Sequence, residues 1–441
     1  MPGLNIKTVE IQEMNKLATE TQNYRWRILA LLFFATTINY IDRQVIGLLK
    51  PFISEDLGWS EVDYGYIVTA FQVAYAIGLI TTGRFLDKFG TRIGYIWAII
   101  IWSVAGMAHS AARSVAGFAA ARFALGLGES ANFPAAVKGV AEWFPKKERA
   151  FATGLFNSGS TIGAIIAPLI VTAITLSLGW QWAFIITGSL GFIWLLFWIA
   201  WYRVPEKHPK ISRDELRYIN QDELDTESKQ RMRWIDLIRL KQTIAICSTR
   251  FISDWVWWFF LFWIPDYLNK AHGIDMKEVV LPLIAIYSVS SIGGIGGGWL
   301  SSKFISSGKS IDFARKTSIL ICALIILPVM LVSQTHQLWM AVALIAMAAA
   351  GHQGWASNIF TIISDIYPKQ AVGTMVGLSG FAGAVGGALS ASFIGLILEN
   401  TGSYFLIFFI ASTVYLVNWL ILKLFVKEIK PLSGLFENHV Q

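Results

Sequence analysis

The sequence predicts an all-α integral membrane protein with 12 transmembrane helices arranged as two six-helix bundles. Three observations carry this prediction. Hydrophobic residues fill 55% of the 441 positions, charged residues only 15%, and mean hydropathy is +0.53, whereas soluble domains carry about 25% charge. Apolar runs of about 20 residues, the length that crosses a bilayer, recur twelve times along the chain. One long polar segment, residues 203–242, divides the runs six and six.

The runs lie near 26–48, 62–83, 93–110, 114–137, 151–175, 182–202, 243–268, 279–304, 314–334, 337–363, 371–398 and 403–425. The expected organisation is an N-terminal tail (1–24), a first bundle (25–203), a linker (204–242), a second bundle (243–426) and a C-terminal tail (427–441). The tail before the first run is mixed and polar and shows no cleavable signal peptide. With the N-terminus inside, 28 lysines and arginines fall on inner segments and 4 on outer ones: Lys50, Arg113, Lys270 and Lys277. The positive-inside rule then puts both termini in the cytoplasm. The net charge of +7 reflects this asymmetry and does not point to nucleic acid. Cys247 and Cys322 both lie within spans, forming neither a disulfide framework nor a metal site.

Span one, RWRILALLFFATTINYIDRQVIGLL, places Asp42 beside Arg43 in apolar sequence. A charge at membrane depth costs at least a few kcal/mol on insertion scales. The pair is therefore either mutual structural glue or the lining of a water-filled path. Span two brings Gln72 and Tyr75. Span four brings Arg122 and, two turns on along the same face, Glu129. A rise of 1.5 Å per residue puts Asp42 and Arg122 at similar depth, which makes them a possible pair. On the same ruler Arg43 and Glu129 differ by more than about 10 Å, a less secure contact. Span five offers Asn157, Ser160 and Thr161, span seven Arg250 and Asp254, and span ten His352, Gln353, Trp355 and Asn358. These polar groups converge near mid-span. Arg250 with Asp254 reads equally as an intrahelical pair, and His352 as an interior histidine. Of 19 tryptophans, Trp257, Trp258 and Trp355 are candidate sugar-stacking faces, and the rest suit interfacial belts.

The linker carries Ser212 and Glu215 at capping-box spacing, so a short surface helix should start there. Across it the halves repeat. Glu142-Trp143-Phe144-Pro145-Lys146 matches Asp365-Ile366-Tyr367-Pro368-Lys369, with Gly154-Leu155 on Gly377-Leu378 and Gly163 on Gly386 at the same offset. Repeated six-helix halves belong to transporters that rock about a midplane site. Glycines at three- and four-residue spacing in spans five, eight and eleven suit close helix packing.

GRFLDKFGTR (Gly83 to Arg92) between spans two and three has a worn copy, GGWLSSKF, after span eight, with Ser302 replacing the acid. On this motif the chain resembles the major facilitator superfamily. The resemblance implies an inner-gate role for Gly83, Asp87, Gly90 and Arg92, the acid pairing with basic groups and a helix end. NYIDR, RFALGLGESANFPA, EWFPKKERA and FNSGSTIGAIIAP resemble its anion:cation symporter branch, which moves organic acids with protons or sodium. RFISDWVWWFFLFWIPDYL and GHQGWASNIFTIISDIYPKQAVGTMVGLSG resemble hexuronate transporters more narrowly. The resemblance covers nearly the whole chain and implies that Asp42, Arg43, Arg122 and Glu129 handle coupling and substrate, with Tyr40 and Tyr75 as substrate contacts. Ser160 stands where aldonate carriers have a glutamine, which favours uronate.

The expectation is a monomeric proton-coupled symporter in the inner membrane of a bacterium, importing galacturonate or glucuronate, with no cofactor. Arginine grips a carboxylate bidentately, which suits Arg43 as the anion hook. Glu129 is the first proton carrier and Asp42 a second. Aldonate or aldarate transport, sodium coupling and a non-transporting membrane sensor are the alternatives. An enzyme is disfavoured, because no nucleotide loop, metal cluster or nucleophile constellation occurs in the sequence.

Overall fold

A computed structural model describes residues 24–222, 237–367 and 369–432. Among these residues the regular structure is all helical. The N-terminal half comprises α1 (Tyr24–Leu57), α2 (Glu61–Ala108), α3 (Val115–Glu129), α4 (Asn132–Trp143), α5 (Lys146–Leu178) and α6 (Trp180–Trp201). A short helix, α7 (Arg213–Ile219), follows in the linker. The C-terminal half comprises α8 (Lys241–Phe262), α9 (Ile264–His272), α10 (Val280–Ser306), α11 (Ile311–Ile326), α12 (Leu338–Ile366), α13 (Lys369–Thr401) and α14 (Phe405–Phe425).

Nine helical segments among the described residues are long and apolar enough to cross a membrane. The other three predicted spans are α1, the broken rod α3–α4 and the broken rod α8–α9. They carry Asp42 and Arg43, Arg122 and Glu129, and Arg250 and Asp254 respectively. Helix α2 holds two spans. It starts at a capping box, with the Asp63 amide donating to Ser60 Oγ at 3.1 Å and the Ser60 amide to Asp63 Oδ2 at 3.0 Å. The chain reverses inside α2 at Gly90, whose φ of 80° lies where a side chain would be strained. That is the structural use of the second glycine in GRFLDKFGTR.

The repeated acid does matching work in each half. Glu142 accepts from Thr91 Oγ1 at 2.6 Å and from the Tyr202 hydroxyl, tying the loop motif to α4 and α6. Asp365 accepts from Arg315 Nε at 2.8 Å, and Arg315 donates on to Ser301 Oγ at 2.7 Å, inside the worn copy of the motif. Both acids therefore fasten their own half. Arg92 joins this scheme through a 2.9 Å bond to the Ile199 carbonyl. The Asp87 side chain lies outside the described residues.

The linker docks on the first half. Ser212 Oγ accepts from the Glu215 amide at 3.1 Å, one arm of the expected box. The Glu215 carboxylate, fully buried, turns away to cap α1, accepting from the Tyr24 and Arg25 amides at 3.2 and 3.0 Å. A carboxylate at a helix N-terminus also meets the favourable end of its dipole.

The halves meet where α2 packs on α13, α5 on α10, and α1 on α8 and α9. Helix α2 packs on α13, with Gly65 against Gly395 and Thr69 Oγ1 at 2.7 Å from Ser392 Oγ. At the end away from the described termini, Lys50 of α1 is 1% exposed and reaches Asp266 of α9 at 2.5 Å and Glu61 of α2 at 2.7 Å. Lys270 contacts the same two acids, and the Tyr404 hydroxyl donates to Asp266 at 2.6 Å. This balanced network seals that end. At the opposite end the described ion pairs, such as Arg25–Glu148 and Arg315–Asp365, stay within one half.

Candidate functional site

The site is built where α1, α2, α3 and α8 converge. Arg43 is 2% exposed. Its Nε lies 2.9 Å from Glu129 Oε2 and its NH2 group donates to Asn39 Oδ1 at 3.1 Å. Aromatic rings close around the guanidinium: Tyr40 at 4.8 Å, Tyr75 at 5.0 Å, Trp258 at 5.1 Å and Phe71 at 5.4 Å. Such faces attract a cation and exclude water, which strengthens its hold on any anion. The box spans both halves, because Trp258 belongs to α8.

Arg122 lies one layer behind. Its NH2 group donates to the Arg43 carbonyl at 3.1 Å, and Phe71 sits 4.8 Å from its guanidinium. Among the described residues its Nε and NH1 groups have no hydrogen-bond partner, and neither does Glu129 Oε1. The Asp42 carboxylate is buried against Thr187 and Arg122, with neither oxygen in a well-formed hydrogen bond.

The depth ruler paired Asp42 with Arg122 and doubted Arg43 with Glu129. The structure instead makes the second contact a 2.9 Å salt bridge. Arginine has a long, flexible stem, which reaches across the gap to Glu129. Adjacent residues on a helix also point about 100° apart, so Asp42 and Arg43 face different neighbours.

The remaining candidates fall into two groups. Asn157 is exposed and Ser160 half-buried on α5, the helix that seats Gly163 against the Tyr40 Cβ and the Thr37 carbonyl. Asp254 binds Arg250 through Nε and NH2, both at 2.8 Å. Trp257 stacks on His352 at 5.6 Å with rings 6° apart, and His352 Nδ1 lies 2.5 Å from the Tyr415 hydroxyl. Gln353 lies half-buried beside Gly294 of α10. Asn358 Nδ2 donates to the Gly297 and Gly354 carbonyls, both at 2.9 Å, tying α10 to α12. Trp355 is 2% exposed with its ring edge on Tyr415. Asn358 and Trp355 thus sit in the second half's own packing, away from the Arg43 box. Sequence reasoning missed Phe71, for which no signal existed. Trp258 was one stacking candidate among three, and only the fold shows that it meets Arg43.

Chemically, the Arg43 fork is occupied by an internal carboxylate, that of Glu129. A carboxylate that displaces Glu129 from Arg43 finds a rigid fork in an aromatic shell, provided Glu129 loses its charge.

The chain is 32% identical over 383 residues to the hexuronate transporter of Escherichia coli (strain K12), covering 86% of this chain and 88% of that one. It is 30% identical over 405 residues to a protein of Bacillus subtilis (strain 168) named as a galactarate/D-glucarate transporter, covering 88% of each. The crystal structure of a bacterial homologue of the human lysosomal transporter Spinster, inward-facing and unoccupied, superposes with a TM-score of 0.71 at 18% identity, covering 92% of this chain and 96% of that chain. The Major Facilitator Superfamily matches residues 32–391 and 303–439. This chain is a multi-pass membrane protein and belongs to the Major Facilitator Superfamily.

Proposed function

We propose that the protein is a proton-coupled symporter that imports hexuronates such as galacturonate and glucuronate across the inner membrane, with both termini in the cytoplasm. The observation that carries the reading is the Arg43–Glu129 salt bridge inside an aromatic box shared by both halves. The sugar-acid transporters among its relatives support the substrate class. In the cycle, protonated Glu129 releases Arg43, which binds the substrate carboxylate. Asp42, buried and without a firm hydrogen bond, is the second titrating group. Tyr40, Tyr75 and Trp258 enclose the substrate, with Asp254, His352, Gln353, Asn157 and Ser160 as the contacts for hydroxyls. Glu129 deprotonates after the halves rock, reclaims Arg43 and expels the substrate. The sealed Lys50 end and the more exposed Asp254 fit a carrier open toward the cytoplasm.

Purified protein in proteoliposomes tests this reading. An inward proton gradient should drive galacturonate accumulation that galactonate competes for weakly and that persists without sodium. Accumulation that needs sodium at fixed pH removes proton coupling. The absence of any sugar-acid uptake removes the substrate class.

A further inference from the structure

A second arginine–carboxylate pair lies on α8, the helix that brings Trp258 to the Arg43 box. On α8, positions 250, 254 and 258 follow one another at four-residue spacing and share a face. Trp258 meets Arg43 at 5.1 Å. One turn away, Asp254 occupies space left by Gly383 of α13, where a Cβ would fall 2.2 Å from Asp254 Oδ2. One turn further, Arg250 grips Asp254, donates to Ser379 Oγ at 3.2 Å and lies 5.0 Å from the Phe360 ring. A Cβ on Gly380 would lie 3.7 Å from Arg250 NH1 and 3.9 Å from Leu79 of the first half, so Arg250 stands at the seam between the halves.

An intrahelical pair present only for stability contributes little and needs no cavity carved for it on another helix. This pair has glycine space on α13, and it is partly exposed. The Arg250 and Asp254 side chains are 17% and 20% exposed, against 3% and 0% for Arg43 and Glu129. The spacing is also informative. Eight residues of helix separate Trp258, at the Arg43 box, from Arg250, about 12 Å. A six-carbon chain carrying a carboxylate at each end spans about 6 Å between its end carbons, and a hydrogen bond at each end brings this to about 12 Å.

We propose that Arg250 is a second anion-binding residue, gripping the far carboxylate of a six-carbon dicarboxylic sugar acid whose near carboxylate sits on Arg43. Asp254 holds Arg250 in this structure as Glu129 holds Arg43, and the substrate replaces both. This rests on reading the cleft as a sugar-acid site, and it makes hexarates substrates alongside hexuronates.

The test is a binding titration of the purified full-length protein with galactarate and galacturonate, read by intrinsic tryptophan fluorescence. The wild type should bind both. In Arg250→Gln/Asp254→Asn, which removes both charges together, the ratio of galactarate to galacturonate affinity should fall about tenfold or more, the scale of one charge-assisted contact. Arg250→Lys, which keeps the charge and loses the fork, should lower the ratio by less. It decides the question alone if the double variant is not monodisperse. An unchanged ratio, or equal loss of both ligands, overturns the inference. Wild type that binds galacturonate but not galactarate also overturns it and leaves the proposed function intact. Wild type that binds neither overturns both.

Discussion

Arg43 shows how one side chain is prepared for an anion without being left exposed as a bare charge. Glu129 and Asn39 hold its donors, and Tyr40, Phe71, Tyr75 and Trp258 hold its faces. Replacing it with lysine keeps the charge and loses the planar fork. Arg43→Lys should therefore weaken galacturonate binding by about tenfold or more, the scale of a lost charge-assisted hydrogen bond. A fluorescence titration checks this. Arg43, Arg122 and Glu129 were legible in sequence, because ionisable residues within apolar runs are rare and expensive. Their partners were not. Depth counted along straight helices misses the reach of arginine, and so favours Asp42 with Arg122. Phe71 has no mark that separates it from any lipid-facing phenylalanine; only helix packing turns it toward two guanidinium groups.

At the scale of elements, the sequence shows twelve apolar runs, and nine of them form helices long and apolar enough to cross a membrane by length and composition alone. Helices α1, α3–α4 and α8–α9 look less membrane-like because they carry the charges of the proposed site, so the weakest hydropathy signals mark the helices that would build it. The α1–α5 contact depends on Gly163, where a Cβ would fall 2.5 Å from the Thr37 carbonyl and 2.9 Å from the Tyr40 Cβ. Gly163→Val should cost about 1–3 kcal/mol through overpacking, read as a lower melting temperature of the purified protein and weakened substrate binding through Tyr40. The linker gives a pH prediction. His208 Nε2 lies 3.1 Å from the Trp201 carbonyl, while Nδ1 accepts from the Lys210 amide at 3.2 Å, which fixes a neutral ring. Burial, with Arg203 and Lys210 nearby, holds the imidazole below the ordinary histidine range. A depressed histidine favours docking while it stays neutral. Docking is therefore complete above the unfolded value of about 6.5 and weakens as pH falls below it. Hydrogen exchange across residues 208–219, corrected for intrinsic rates, should be faster at pH 5.5 than at 7.5 in the wild type. In His208→Gln that pH dependence should be lost.

At the scale of the whole molecule, two halves with their own fastenings meet through a charged seal at one end, the glycine-lined α2–α13 seam and the α5–α10 contact. The two halves were visible in the repeat of Glu142 and Asp365, whereas the seal was not. Lys50, Glu61, Asp266 and Lys270 read as ordinary loop-end charges until the fold gathers them. Removing one partner of a buried pair costs about 3–5 kcal/mol, enough to shift a balanced two-state equilibrium strongly. Lys50→Met should therefore raise the population open at that end, seen as longer distances between spin labels placed on the two halves there. The proposed coupling turns on loss of charge on Glu129, which frees Arg43 for the substrate and so links protons to transport. The most direct test compares wild type with Glu129→Gln in proteoliposomes, measuring galacturonate accumulation under an inward pH gradient beside galacturonate counterflow. The account predicts at least a tenfold loss of gradient-driven accumulation in the variant with counterflow retained. Accumulation at the wild-type level in Glu129→Gln would contradict it.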